Sequence, residues 1–290
     1  MPTRREFLGD AAAGLAAIAL DPMAFAKKME RPIGVQLYTV RSIIQNDLPG
    51  TLRAIRKIGY QNVETYTAEY KLSAKDLRSA ILDAGLTVPS AHFGYNEFAR
   101  RFDYAKELGV ECVVCSSIPK NIANSADGYK RAAEQFNAWG AEAKKLGLRF
   151  GFHDHNTEFQ RFGDVTGFDV LMKYTDPALV QWQMDCYWVA QAGHDPVAML
   201  RRYGHRIQSL HLKDRKPNVP TSVVPGPNAA HFTEVGEGTL DWRTILRLAA
   251  NDHIPYMFVE QDKTERPPLQ SLQISYRNIV KFMSQDGISV

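Results

Sequence analysis

Cysteine is scarce in this sequence, with Cys112, Cys115 and Cys186 the only three among 290 residues. Cys112 and Cys115 lie three apart on a segment expected to be extended, so their side chains point to opposite faces and do not bridge each other. A zinc site built on such a pair needs further ligands elsewhere, and the sequence lacks them. We therefore predict buried, unpaired thiols.

Long apolar runs and a strong charge of one sign are also missing. Hydrophobic residues make up 44% of the chain, yet no stretch approaches the roughly 18 apolar residues of a membrane span. The net charge is +3, from 35 basic and 32 acidic residues scattered along the chain. These absences argue against membrane insertion and against a nucleic-acid partner.

The first 26 residues have the layout of an export signal. An Arg4-Arg5 pair precedes a mildly apolar segment, and residues 24–26 (Ala-Phe-Ala) supply the small residues of a cleavage site. The Arg-Arg-x-Phe-Leu core resembles the twin-arginine signal, which predicts a periplasmic or exported protein. An amphipathic helix of the domain is the alternative. We expect one domain over residues 27–290.

Apolar runs with turn signals at both ends recur about every 30 residues and alternate with amphipathic stretches, one of which predicts a helix over 41–58. The eight expected strands are 33–38, 62–66, 87–92, 111–116, 148–153, 180–185, 207–212 and 256–260. Eight strand–helix units predict an α/β fold, the (β/α)8 TIM barrel. An open doubly wound sheet is the alternative, but it usually has a glycine-rich turn after the first strand, which Gly34-Val35-Gln36 is not.

Acids and imidazoles stand where the expected strands end. Within strand 180–185, Gln183 and Asp185 share one face, opposite Trp182 and Met184. The strand-end residues of this kind are Glu64, His92, His153, His155, Asp185, His211 and Glu260. A barrel gathers such residues at one end, and burying unpaired charge there costs several kcal/mol. We therefore predict that a divalent cation binds among them.

Several motifs together resemble the sugar phosphate isomerase/epimerase family, the xylose-isomerase-like barrels, over about residues 32–285. They lie at 152–159 (Phe-His-Asp-His-Asn-Thr-Glu-Phe), 184–188 (Met-Asp-Cys-Tyr-Trp), 211–214 (His-Leu-Lys-Asp), 236–242 (Gly-Glu-Gly-Thr-Leu-Asp-Trp) and 259–260 (Val-Glu). In that family a Glu, an Asp, a His and a Glu at the ends of strands five to eight commonly hold a metal. The last three map onto Asp185, His211 and Glu260.

Strand five departs from the family pattern, because His153 stands where many members have Glu. The resemblance leaves two options: His153 binds the metal, which we favour, or Glu158 reaches back to it. The family Glu often doubles as a proton-transfer base in epimerases, so its replacement bears on the chemistry.

The chemistry implied by the resemblance is proton abstraction next to the carbonyl of a sugar or keto-sugar through an enediolate. Mn, Co, Fe, Zn or Mg would suit the mixed ligands. Glu260, His155 and Glu158 are candidate bases, and Lys213 is expected to stabilise an oxyanion or to pair with Asp185. The expected substrate contacts are Glu64, His92, Gln36, Tyr38, Trp188 and Gln183.

Isomerisation or epimerisation is the first functional expectation. Elimination of a β-substituent from a 3-keto-glycoside or related oxidised sugar is the second, and a non-catalytic sugar-binding barrel is the third. A phosphodiesterase of the apurinic-endonuclease type shares the barrel, but it would need a zinc cluster and a basic groove. Homo-oligomers are compatible with the sequence. The proline-rich segment 214–238 is expected to cover substrate or contact a subunit.

Overall fold

Eight parallel strands close into a barrel. The computed structural model describes residues 32–66, 72–224 and 231–289. The barrel strands are β1 Ile33–Gln36, β2 Asn62–Thr65, β3 Thr87–Phe93, β4 Cys112–Cys115, β5 Arg149–His153, β6 Val180–Asp185, β7 Ile207–Leu212 and β8 Tyr256–Val259. Each strand pairs with its neighbours in sequence, and β1 pairs with both β2 and β8, which closes the ring. The predicted (β/α)8 barrel is confirmed, and the open-sheet alternative is wrong.

Helices connect the strands on the outside of the ring. In the described part of the chain they are α1 Arg41–Ile44, α2 Leu48–Ile58, α3 Ala74–Asp83, α4 Phe102–Leu108, α5 Ala126–Lys145, α6 Gly167–Tyr174, α7 Cys186–Gln191, α8 Pro196–Tyr203, α9 Trp242–Asn251 and α10 Pro268–Gln285. Capping side chains set where several begin: Ser73, Ser125 and Asp241 each accept a hydrogen bond from a backbone N–H three residues later. Gly109 ends α4 in the left-handed region, at φ +80°.

The stretch expected to be one helix over 41–58 is instead two, α1 and α2. Pro49 lies in the first turn of α2, and the Asp47 side chain caps that helix by accepting a hydrogen bond from Gly50 N. Proline is tolerated in a first turn but disrupts a helix interior, because it lacks the N–H and its ring clashes with the preceding turn. The chain therefore leaves the helix after Ile44 and restarts it at Leu48.

Two further elements are not apparent from periodicity. Helix α7 follows β6 at once, because Asp185 ends the strand and also caps the helix by accepting from Trp188 N. Within the proline-rich segment, Asp214–Arg215 pairs in antiparallel fashion with Phe232–Thr233. The expectation that this segment covers substrate or contacts a subunit stays a prediction.

Alternation along the strands separates an apolar outer layer from a polar interior. Trp182 on β6 is fully buried, and its ring packs against Phe168 of α6 and Tyr203 of α8. The neighbouring Gln183 and Asp185 are equally buried but form polar contacts inside the barrel. The three cysteines are buried and unpaired, as the sequence predicts.

The predicted export signal at residues 1–26 lies outside the described residues. Across the ranges given above, none of the helices combines the length and the apolar character that crossing a bilayer requires.

Candidate active site

Glu64 on β2 lies at the centre of a hydrogen-bond network inside the barrel. Its side chain is fully buried, and Oε1 accepts hydrogen bonds from Ser90 Oγ at 2.5 Å and from Gln183 Nε2 at 2.8 Å. Oε2 lies 2.5 Å from His211 Nε2. Burial opposes ionisation of this carboxyl, but the neighbouring His92 and His211 outweigh it and hold the pKa of Glu64 well below its ordinary value. An ionised Glu64 therefore orients His211 from below.

Gln183 on β6 fixes which nitrogen of His153 carries a proton. Because the Gln183 Nε2 donates to Glu64, its Oε1 is left to accept. That oxygen lies 3.1 Å from His153 Nδ1 and 2.6 Å from His92 Nε2. Burial lowers the pKa of His153 well below its ordinary value, so the ring is neutral and its proton is on Nδ1. The Nε2 lone pair then faces Asp185, whose Oδ2 is 3.8 Å away.

Side chains from the carboxyl ends of β5 to β8 bring four potential ligand atoms within 4.8 Å of one another. They belong to His153, Asp185, His211 and Glu260, and all four residues are buried. Asp185 Oδ2 is buried, lies 3.8 Å from both His153 Nε2 and His211 Nδ1, and is 2.9 Å from the Lys213 ammonium. Two imidazoles and two carboxylates that converge in this way form a ligand set that suits divalent transition metals. The residues therefore fit a divalent metal.

Lys213 lies beside this cluster and is almost fully buried. Its Nζ is 2.6 Å from Glu260 Oε2, 2.7 Å from Asp262 Oδ1 and 2.9 Å from Asp185 Oδ2. Burial disfavours the ammonium, but the three carboxylates outweigh it and raise the pKa of Lys213 well above its ordinary value. The lysine is thus a fixed positive charge paired with Asp185, one of the two arrangements that the sequence predicts for it.

A cavity of about 270 Å³ opens above the cluster at the carboxyl ends of the strands. The predicted site residues that line it are Gln36, Tyr38, His92, His153, His155, Lys213 and Glu260. Tyr66, Ser116, Ser117 and Asp262 complete the lining in the described part of the chain. Four of the predicted metal ligands or catalytic groups and three of the predicted substrate contacts therefore share one space.

Three expected substrate contacts do not line the cavity. Glu64 and Gln183 lie one layer deeper, where they bond to each other and to the histidines. Trp188 is in α7, and its ring packs against Tyr187 and Phe232. The assignment of these side chains to the substrate stays a prediction, because sequence alternation gives the face of a strand but not the depth at which a side chain ends.

Glu158 and His155, both candidate bases, point to different surroundings. The Glu158 Oε2 accepts hydrogen bonds from His155 N at 2.8 Å and from Thr157 Oγ1 at 3.1 Å, so it caps the 3-10 helix Asn156–Phe159. His153 belongs to the cluster of four potential ligand atoms and Glu158 does not, which favours His153 over Glu158 as the strand-five ligand. The His155 ring lines the cavity, and burial together with Lys213 lowers its pKa to about 3.

Asp262 and Asp154 are site residues that the sequence reasoning missed. Asp262 lies two residues beyond Glu260, so period-two alternation extended past β8 would have found it. Asp154 lies between the two histidines on the opposite face, where its fully buried carboxylate accepts from Trp182 Nε1 at 2.7 Å and from Asp185 N at 2.9 Å. It fixes the end of β6, and no local motif signals that long-range role.

A closed (β/α)8 barrel with acids and imidazoles converging at the carboxyl ends of its strands is the arrangement of TIM-barrel enzymes. Residues 52–275 match the family model described as xylose isomerase-like TIM barrel, which is more than half of the chain. The chain belongs to this family.

Individual relatives indicate the kind of chemistry. The inosose dehydratase of Clostridium botulinum (strain Alaska E43 / Type E3) is 27% identical over 237 residues, 70% of this chain and 78% of the relative. A crystal structure of a sugar phosphate isomerase/epimerase from Parabacteroides distasonis ATCC 8503 superposes with a TM-score of 0.72 at 25% identity, covering 89% of this chain and 97% of the other. A structure of the IolI protein with a bound zinc atom shares the fold, with a TM-score of 0.67, 15% identity and coverage of 88% and 98%. The protein is an enzyme of the sugar isomerase/epimerase or lyase kind.

Glu64→Gln is expected to weaken metal binding by roughly 10- to 100-fold, because it removes the carboxylate that orients His211. Metal affinity would be measured by competition with a chromophoric chelator. Ser90→Ala is the matched control, since it removes a hydrogen bond to Glu64 but keeps the charge. Equal affinities for Glu64→Gln and the wild type would contradict the orienting role.

Proposed function

We propose that the protein is a metal-dependent lyase that removes a proton next to the carbonyl of a keto-sugar and then eliminates a β-hydroxyl group as water. The observation that carries the proposal is the placement of His155 and Lys213 on the wall of a cavity that the ligands His153 and Glu260 also line. A base and a fixed positive charge beside an electrophile are what such an elimination needs. The inosose dehydratase relatives support the same class of reaction.

A divalent metal held by His153, Asp185, His211 and Glu260 would polarise the substrate carbonyl. Zinc is one candidate, because the IolI protein of similar fold was solved with a zinc atom. Mn, Co, Fe and Mg are compatible with the same mixture of nitrogen and oxygen ligands.

His155 is the proposed base. Burial together with Lys213 lowers its pKa to about 3, so the imidazole is neutral and one ring nitrogen has a lone pair for the proton from the carbon next to the carbonyl. The electrons of that C–H bond form the enediolate, which lies near the positive charge of Lys213, while the Lys213 N–H groups stay with their three carboxylate partners. When the carbonyl forms again, the β C–O bond breaks, and protonated His155 returns its proton to the leaving hydroxide. One water is released, and an unsaturated ketone remains.

Isomerisation or epimerisation is the second candidate, supported by the Parabacteroides distasonis structure. Both reactions start from the same enediolate but return the proton to carbon. Elimination is preferred because His153 occupies the strand-five position, where many epimerases of this type have a glutamate base.

We also propose that residues 1–26 direct export, which would make the enzyme periplasmic. Cell fractionation that finds the full-length protein only in the cytoplasm would contradict this.

Metal analysis combined with proton NMR in D₂O tests the reaction class. The purified enzyme is expected to contain a divalent metal and to convert an inosose or a related keto-sugar into an unsaturated ketone, with the mass loss of one water. Epimerisation would instead place deuterium on carbon with no loss of water. A sugar-binding barrel would show neither change, and Asp185→Ala should abolish both metal binding and turnover.

His155→Asn is expected to lower turnover by roughly 10²- to 10⁴-fold, since it removes the base. Its metal content should stay at the wild-type level because His155 is outside the ligand cluster. Glu158→Gln is the matched control: its amide oxygen is still able to cap the 3-10 helix, so turnover should change little. If Glu158→Gln is the more damaging variant, the assignment of the base is wrong.

A further inference from the structure

We infer that the substrate is an uncharged sugar and that the cavity excludes sugar phosphates. The inference rests on the proposed function, because it concerns the ligand of the same cavity. Three features of the described residues support it. The basic side chains at the cavity are paired with other groups, the Asp214 carboxylate occupies the backbone N–H groups of the loop after β7, and acidic side chains line the cavity wall.

No cationic side chain in the described lining is free to bind a phosphate. Lys213 is the lone lysine or arginine among those residues, and its Nζ lies within 2.9 Å of three carboxylates. Arg41 approaches the same rim, but its Nη1 donates to Tyr38 O at 2.8 Å and its Nη2 to Asp262 O at 2.6 Å. Its guanidinium also stacks over the Tyr38 ring, 4.0 Å from the centroid. Phosphate recognition by paired Arg or Lys donors is therefore missing from the described wall.

In the loop after β7, the backbone N–H groups that could bind an anion are already occupied by the carboxylate of Asp214. TIM barrels frequently bind phosphate with backbone N–H groups of the loops after strands seven and eight. Here the Asp214 carboxylate accepts such donors at 2.8 to 3.2 Å, and it accepts Trp242 Nε1 at 2.6 Å. The backbone donors are the N–H groups of Gly236, Gly238, Thr239 and Leu240. The fit is tight, because a Cβ at Gly238 would lie 2.2 Å from Asp214 Oδ1.

The wall nearest β8 adds negative charge. Glu260 and Asp262 both line the cavity, and Asp262 stands on the outer side of Lys213 with its side chain 24% exposed. A phosphate dianion placed there would face like charge without a free Lys or Arg side chain from the described lining, whereas sugar hydroxyls are able to donate to these carboxylates. The carboxylates of this wall thus select for a ligand that offers hydroxyl donors and carries no negative charge.

Matched pairs of a sugar and its phosphate test the inference: fructose with fructose 6-phosphate, and ribulose with ribulose 5-phosphate. Dissociation constants would be measured by ligand-observed NMR titration of the purified, metal-containing enzyme. We expect each phosphate to bind at least tenfold more weakly than its neutral partner, with a smaller gap at high salt. Asp262→Asn should narrow the gap by removing one charge from the wall. Asp83→Asn, the same change at the exposed end of α3, should leave it unchanged.

The outcomes separate this inference from the proposed function. Phosphates that bind as tightly as the neutral sugars, or more tightly, would overturn the inference even if they exchange deuterium at carbon. The absence of binding for every neutral sugar would overturn it as well. Neutral sugars that bind selectively but never exchange or lose water would uphold the inference and count against the proposed reaction.

Discussion

The interior of this barrel depends on compensating one buried carboxylate. Glu64 has no exposed surface, so its charge must be met by donors within the protein. Ser90 and Gln183 meet it at Oε1, and His211 meets it at Oε2. Because these partners come from three other strands, the charge fixes the positions of β3, β6 and β7 relative to β2. The geometry of the residues that line the cavity above Glu64 therefore depends on how this buried charge is compensated.

The same charge also determines which nitrogens His153 and His211 direct into the proposed metal site. Glu64 holds the Gln183 amide so that its oxygen accepts from His153 Nδ1, which leaves Nε2 free on the side of Asp185. It holds His211 by Nε2, and Nδ1 then lies 2.9 Å from Glu260 Oε2. The neighbouring amide thus gives His153 the orientation that it needs as a proposed metal ligand.

Sequence periodicity was sufficient for the barrel and for the ligand cluster, because both follow from which face of a strand a residue takes. Asp185, His211 and Glu260 end apolar strands, so their convergence needs only the topology of the barrel. The depth of a side chain inside the barrel could not be predicted in this way, because Glu64 and Gln183 follow the same alternation but end below the cavity. The role of Glu158 also depended on geometry, since one hydrogen bond to His155 N turns it into a cap. Asp154 accepts hydrogen bonds from Trp182 Nε1, 28 residues away, and from Asp185 N, which is more distant. Asp214 accepts from Trp242 Nε1, also 28 residues away. No local pattern encodes these contacts.

The barrel interior below the cavity is also packed in a way that requires particular residues. At the opposite end of the barrel, an irregularity in the pairing of β6 with β7 skips Gln208, which would otherwise share the outward face of Leu210. The Gln208 amide instead lies against Gly151, where a Cβ would be 2.2 Å from its Nε2. Glycine at this position of β5 therefore makes room for a side chain from β7, two residues before His153 reaches the ligand cluster. The packing of β5 is therefore specific at Gly151 as well as at His153. A side chain at Gly151 would disturb the packing on which the position of His153 depends.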